Sequence, residues 1–439
     1  GKTSWGGLNL DSCLNTTKLH TLKSLLLLVV LLMGTSGAWG KVFSPVLDVN
    51  FRTAEGNSAW VSGYPKEASS DNNTFECNGY NGLFVLQKYT VDNLDKVKQL
   101  TLRNVNANTN ADALAIWVVT TTNLSADWTS STSVSDIVSA YTNTVGIAPR
   151  ATSGSVNTTY LINGTSNKSD GNKFVISGTA LTTLKESASN NTFTLLITNT
   201  SEKLVSGSTD SRKFYSSGDA TNPLTLTADY YVVGESNGTL TNYETLAAGV
   251  SAATSETTYD TELKVYDDIV LSDRITYSNQ NAKTLTITPQ ADITITFGDA
   301  SKIWFLINKT ISGSSSGTAG TLSIGSTTHS ITLDGKSSTY SNDITKREGG
   351  GSIVLTNVTF KGFTMNEGKY LCNTNNQGGT YTLDKITLNN CTTAANAFIN
   401  SNRDVNGTLV LKGYLDQIEC TGTTIYTLYK DASNRGRIQ

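Results

Sequence analysis

The chain has 439 residues, with 33 lysines and arginines against 36 aspartates and glutamates, a formal net charge of −3. Such a balance leaves no field of either sign to gather nucleic acid, which argues against a DNA- or RNA-binding protein. Charged residues are 16% and apolar ones 37%, glycines number 37 and prolines 5, and threonine is roughly one residue in seven, a mixture that favours strands over helices and still supplies real cores.

In chain order, the first feature is the apolar run Leu25 to Met33, the one stretch greasy enough to concern a membrane. Lys18, His20 and Lys23 precede it, it is too short to span a bilayer, and small residues at Ser36, Ala38 and Gly40 follow it. This is the grammar of a signal peptide over residues 18–40, cleaved near 38–40, with an N-terminal anchor helix as the alternative. Residues 1–17 read as surplus sequence upstream of the natural start. Export would place the mature chain outside the cell or at its surface, with no membrane insertion of its own. The cysteines that remain, Cys77, Cys372, Cys391 and Cys420, are spread over two regions and make no dense disulfide framework, so packed cores must carry the stability.

From Phe43 to Val233 short apolar runs such as Gly82–Leu86, Ala113–Val119 and Thr192–Thr198 alternate with polar loops of irregular length. Period-two patterning within several of them predicts an antiparallel β-sandwich, jelly-roll-like, over residues 41–233. Trp128 after a strand, the Phe174-led strand, Phe214-Tyr-Ser-Ser217 and the closing Asn222–Tyr230 resemble the DNRLRE-type carbohydrate-binding modules, β-sandwiches of secreted polysaccharide-processing and surface proteins. The resemblance implies a sandwich that binds carbohydrate. The namesake string is absent, and the acidic residue expected after the serine pair is displaced to Asp219.

Residues 234–249 read as a connector followed by a short capping helix, with Leu246 and Val250 one helical turn apart. Beyond them the pattern is periodic: Gly351, Gly379 and Gly407 stand at equal 28-residue intervals, each followed by apolar residues stepping by two, then three, then two, as in Ile353, Leu355, Val358 and Phe360. Such a repeat has a contour of roughly 90 Å, enough for three short strands around a filled section. The prediction is a right-handed parallel β-helix over residues 250–439. The segment resembles the pectin-lyase-like β-helices of bacterial surface adhesin-like proteins. Because the pattern calls for another coil at Gly436–Gln439, further coils and a surface anchor are expected beyond the given sequence.

Candidate chemistry is sparse. His329 is the one histidine of the mature chain, which weakens His-based acid/base, triad and zinc readings, and it reads as a solvent-facing strand residue. Asp267-Asp268 is the one adjacent aspartate pair and reads as a turn. Stacked registers Thr356/Asp384/Lys412 and Asn376/Asp404 gather no carboxylates, which leaves Arg403, Asp404 and Lys385 as the candidates for a β-helical lyase. Cys391 and Cys420 occupy equivalent places in successive coils, as stacked thiols or, alternatively, a disulfide. Trp117 lies inside an apolar strand and reads as core, whereas Trp60, Tyr64 and Tyr80 fall in Gly/Pro/Asn loops where rings can stack on sugar faces.

The sequence thus predicts an exported all-β protein, a sandwich followed by a β-helix, that binds a polysaccharide or glycan through Trp60, Tyr64 and Tyr80 without catalysis, cofactor or metal. A polysaccharide lyase or hydrolase is the alternative, and a structural stalk the third reading.

Overall fold

The computed structural model describes residues 41–103, 113–119, 128, 132–165, 173–199, 204–205, 212–302, 304–307, 319–347, 350–373, 379–393, 397–401, 407–421, 426–428 and 437–438. The signal-peptide and upstream segments, together with Asn376, Arg403 and Asp404, lie outside the described residues.

The N-terminal part pairs two antiparallel sheets. One has the order Lys41–Phe43, Thr225–Tyr230, Val97–Arg103, Lys173–Ile176; the other runs Lys66–Glu67, Leu47–Arg52, Leu83–Thr90, Thr192–Asn199, Ala113–Val118, Ile162–Thr165. Their facing side chains, Leu100, Leu102 and Leu226 from one sheet and Val85, Ile116 and Leu195 from the other, share one core. The second sheet is apolar on its other face too, because helix α1 (Val134–Val145) packs there, with Ile137 and Tyr141 against Phe84 and Trp117. This explains why the central strands read as continuous apolar runs rather than clean alternation. A second helix, α2 (Gly178–Ser187), buries Leu181 and Leu184 in the inter-sheet core.

A buried polar network closes this part. Asp48 accepts from the Ser217 backbone N–H at 2.8 Å and from Gln87 Nε2 at 2.9 Å, and Tyr89 donates its hydroxyl to Gln87 Oε1 at 3.1 Å. A carboxylate therefore does meet the serine pair of Phe214–Ser217, but it comes from the strand Leu47–Arg52. Burial pushes the Asp48 carboxyl above its usual range, against the pull of these hydrogen bonds.

The C-terminal part is a parallel β-solenoid of about five turns. The strands stacked on its first side are Thr261–Val265, Thr284–Pro289, Thr321–Gly325 and the leading parts of Ser352–Met365, Gly379–Asn389 and Gly407–Ile418, and Arg437–Ile438 pairs on Thr408–Leu409. On one side Leu263, Ile287, Ile324, Leu355, Leu383 and Leu411 stack in one register, and on the next Ile293, Ile331, Val358, Ile386 and Leu415 do the same. The third side is the six-stranded sheet running from Thr276–Tyr277 to Tyr426–Leu428.

The three-residue step in the repeat has a backbone cause. Asn357, Lys385 and Gly413 all adopt left-handed φ, 55°, 57° and 63°, turning the chain from the first side to the second. Gly362, Asn390 and Glu419, at 65°, 50° and 53°, make the next corner in the same three coils. Glycine and asparagine enter this region at least cost, and Lys385 and Glu419 are held there by the pairing on either side.

Stacking also joins side chains of like kind. Asn373 donates to Asp343 Oδ2 at 2.8 Å and Asn400 to Asn373 Oδ1 at 3.0 Å, a short polar ladder on the third side. Phe297 and Trp304 lie parallel with centroids 5.0 Å apart inside the core. Cys391 and Cys420 are free thiols in equivalent positions: each donates to a carbonyl of the preceding coil, Phe360 or Leu388, at 3.4 Å.

The first coil is closed by a hairpin that the connector reading did not contain, followed by a short helix. Val232–Ser236 and Thr239–Tyr243 form a hairpin that pairs antiparallel with Thr261–Val265, ending the parallel stack. Its turn is Asn237-Gly238, both at positive φ, the pair such two-residue turns favour. Helix α3 (Leu246–Thr254) then lays Leu246, Val250 and Ala253 over the end of the core, and Thr245 Oγ1 caps it by accepting from Ala248 N at 3.1 Å.

Candidate functional site

The aromatic residues singled out from the sequence lie at one end of the sandwich. Trp60 bridges to Thr53, and Thr53 donates its N–H to the Gly82 carbonyl at 3.0 Å, so the Trp60–Tyr64 loop and the Gly79–Asn81 turn that carries Tyr80 meet at Thr53. Arg150 binds the two segments together, donating to the carbonyls of Asn81 at 3.1 Å and Thr53 at 3.4 Å. All three rings are half-buried. Trp60 spends one face on Phe51, centroid to centroid 5.2 Å, and the Lys66 ammonium stands 4.8 Å from the centre of the Tyr64 ring. Trp117 is 1% exposed, within the core.

His329 sits in the bend between the strands Thr321–Gly325 and Ile331–Tyr340 rather than on a strand, with Nδ1 4.0 Å from Asp292 Oδ1. Lys385 is an exposed corner residue. Asp384 pairs in register with Thr356 below and Lys412 above. Among the described residues, no group of three His, Cys, Asp or Glu side chains is arranged to hold a metal ion.

The more substantial hollow lies elsewhere, where sandwich and solenoid meet. The strand Thr225–Tyr230 passes through the single residue Tyr231 into the capping hairpin, so the last sandwich strand runs directly into the solenoid's first sheet. The walls part on either side of this crossing and leave a cleft of about 620 Å³, roughly twice the volume of either of two smaller surface hollows, about 300 and 330 Å³. Asp229, Tyr230 and Tyr231 form one wall and the first corner of the solenoid, Tyr266 to Asp273, the other; Glu244 and the start of α3 close one end. None of Trp60, Tyr64 and Tyr80 lines it.

The junction is braced by bonds within the sandwich and by one that crosses to the solenoid's cap. Tyr230 donates its hydroxyl to the Asp92 carbonyl at 2.7 Å, Lys41 pairs with Asp92 at 2.8 Å, and Lys98 donates to the Glu244 carbonyl at 3.1 Å. The Lys96 ammonium lies 6.0 Å from the centre of the Tyr266 ring. The aspartate pair does more than turn the chain. Asp268 Oδ1 accepts the Thr294 N–H at 2.6 Å, tying the first coil to the second, while Asp267 Oδ1 accepts the N–H of Asp268, at 2.9 Å. Partial burial raises the Asp267 carboxyl, with the neighbouring Asp268 and Asp92 adding to the effect and Lys41 opposing it. Asp229 is raised by burial as well, against the pull of Lys98 and Arg103.

Chemically the cleft offers phenol rings, carboxylates, and the half-buried aliphatic side chains of Ile269 and Val270. This combination suits a ligand with apolar C–H faces and a polar rim. Sequence reasoning missed it because its walls come from residues 98, 229–231, 244–247 and 265–273. The available signal was the pairing of tyrosines with acids on both sides of the domain boundary, Asp229-Tyr-Tyr231 and Tyr266-Asp-Asp268.

No family model matches the chain, and no curated protein matches it. Among the described residues no helix is long and apolar enough to cross a membrane.

Proposed function

We propose that the protein is an exported, surface-acting carbohydrate-binding protein of adhesin-like character, non-catalytic, that holds a glycan in the cleft between sandwich and solenoid. The observation that carries this reading is the cleft itself, where the tyrosines of two elements and several carboxylates surround an apolar floor. The export signature at residues 18–40 and the likeness of the sandwich to DNRLRE-type modules support the same assignment, as does the solenoid's likeness to pectin-lyase-like adhesins. The rings of Trp60 and Tyr64 are already engaged by Phe51 and Lys66, which favours the junction over the sandwich end as the principal site.

A glycan array on the full chain, with Val270→Trp as the blocking variant, tests it. Val270 lies in the first coil, half-buried at the cleft wall, so an indole there fills the space a sugar would take. The expected result is at least tenfold weaker retention by Val270→Trp and by Tyr266→Ala, with the thermal midpoint of Val270→Trp within a few degrees of the parent. Undiminished retention by Val270→Trp would remove the cleft from the function.

A further inference from the structure

The glycan reading says nothing of the sugar's charge, but the cleft does. Among the described residues five carboxylates line it, Asp229, Glu244, Asp267, Asp268 and Asp273, against one ammonium, that of Lys98, and of the five only Asp273 is held in an ion pair, with Lys302. The cations around the cleft are already engaged: Lys98 by the Glu244 carbonyl at 3.1 Å, Lys41 by Asp92 at 2.8 Å, Lys302 by Asp273 at 3.0 Å. Among the described residues no lysine or arginine stands within ion-pair distance of Asp267. That carboxylate is half-buried beside Tyr266, so it has lost part of its water, and the ammonium of Lys41, itself held by Asp92, offsets this only in part.

We propose that the junction cleft selects glycans bearing free amines, such as N-deacetylated hexosamine units, over neutral sugars and against polyuronates. This rests on the glycan reading and deepens it. An ammonium on the sugar ring supplies a cation in direct contact with Asp267, and its carrier ring presents a C–H face and a cation to Tyr230, Tyr231 and Tyr266. A uronate would bring a further negative charge beside Asp229, Glu244, Asp267 and Asp268. Each close like-charge contact weakens binding, and more so in a partly desolvated cleft than in water. The acidic lining therefore separates this solenoid from the uronate-binding chemistry that a pectin-lyase-like resemblance suggests.

The test is titration calorimetry of the full chain with four probes of matched length: the tetrasaccharide of glucosamine, its fully N-acetylated form, tetragalacturonate and tetralysine. The glucosamine tetrasaccharide is expected to bind at least tenfold more tightly than the N-acetylated one, more weakly at high salt, and tetragalacturonate not at all. Asp267→Asn should shrink the ratio between amine and N-acetyl forms severalfold. Equal affinity for the two saccharides would overturn charge selection and leave the glycan reading standing. Binding of no saccharide would overturn both, and tighter binding of tetralysine than of any saccharide would reassign the cleft to cationic peptides.

Discussion

The two halves of this chain solve the same burial problem in opposite ways. In the sandwich, partners are distant in sequence: Cys77 meets the Ile197 carbonyl, Asp48 meets Ser217, and Arg150 holds Thr53 and Asn81. In the solenoid nearly every inward side chain rests on its equivalent one coil away, as Ile353 does on Tyr381 and Leu355 on Leu383. The first arrangement should unfold as a unit. The second is close to a one-dimensional stack in which each coil depends mainly on its two neighbours. A lone coil would gain roughly 1.5–3 kcal/mol from each of a few inward residues, against ordering some two dozen residues at ~1–2 kcal/mol each. It cannot stand by itself.

The largest expected effect falls in the middle of the stack. Leu355 lies between Ile324 and Leu383 and is fully buried, so Leu355→Ala should cost about 2–5 kcal/mol. Hydrogen exchange should show lost protection over residues 321–393 with the sandwich unaffected. Uniform loss across both halves would break the contrast. Gly325→Ala should act similarly, at about 2–4 kcal/mol: the residue sits at φ 100°, and an added Cβ would collide with the Thr356 carbonyl of the next coil.

In the sandwich, Asp48→Ala strands the Ser217 N–H and the Gln87 amide and should cost about 2–3 kcal/mol. Here exchange should rise throughout residues 41–230, measured in the same experiment. Asp48→Asn, which keeps an acceptor, should cost less. At the cap, Thr245→Ala removes the bond to Ala248 N and should cost about 1 kcal/mol, confined to the hairpin and first coil.

The smallest effect is the response to acid, and its sign should differ between the halves. Asp48 and Asp229 in the sandwich, with Asp267 at the junction, have carboxyls raised by burial, so their contribution is fully present below the unfolded value of about 4 and is lost as pH rises through their folded values. Asp273, Asp292 and Asp299 are lowered, chiefly by backbone N–H groups of Arg274, Ser330 and Ser301, so theirs is present above about 4 and lost as pH falls below it. Acidification from neutrality toward pH 3 should therefore relax the solenoid's loops before the sandwich. Exchange at pH 3 and pH 6, corrected for intrinsic rates, would show it; earlier loosening of the sandwich would contradict it.

Much of the solenoid was legible because its periodicity records one physical constraint repeated. The two-three-two spacing of Ile353, Leu355, Val358 and Phe360 marks both inward columns and the left-handed corner at Asn357. The sandwich was legible at its strands and not at its helices, although Ile137, Tyr141 and Val145 lie four residues apart, one helical turn each. The capping hairpin was passed over as a connector because glycine and asparagine mark loops and hairpin turns alike; Asn237-Gly238 between Val232–Ser236 and Thr239–Tyr243 was its sign. The loop rings at Trp60, Tyr64 and Tyr80 were visible as local composition. The cleft was not, because it exists only once Lys98, Asp229, Glu244 and Asp267 are brought together across a domain boundary, and no period or motif encodes that meeting.

Hydrogen exchange of the full chain with and without the glucosamine tetrasaccharide tests most directly whether the junction is where a sugar binds. Slowed exchange confined to Tyr230–Val232, Glu244–Ala247 and Val265–Asp273 is the predicted result. Slowing at Trp60–Tyr64 and around Tyr80, with the junction unchanged, would contradict it and return the site to the end of the sandwich.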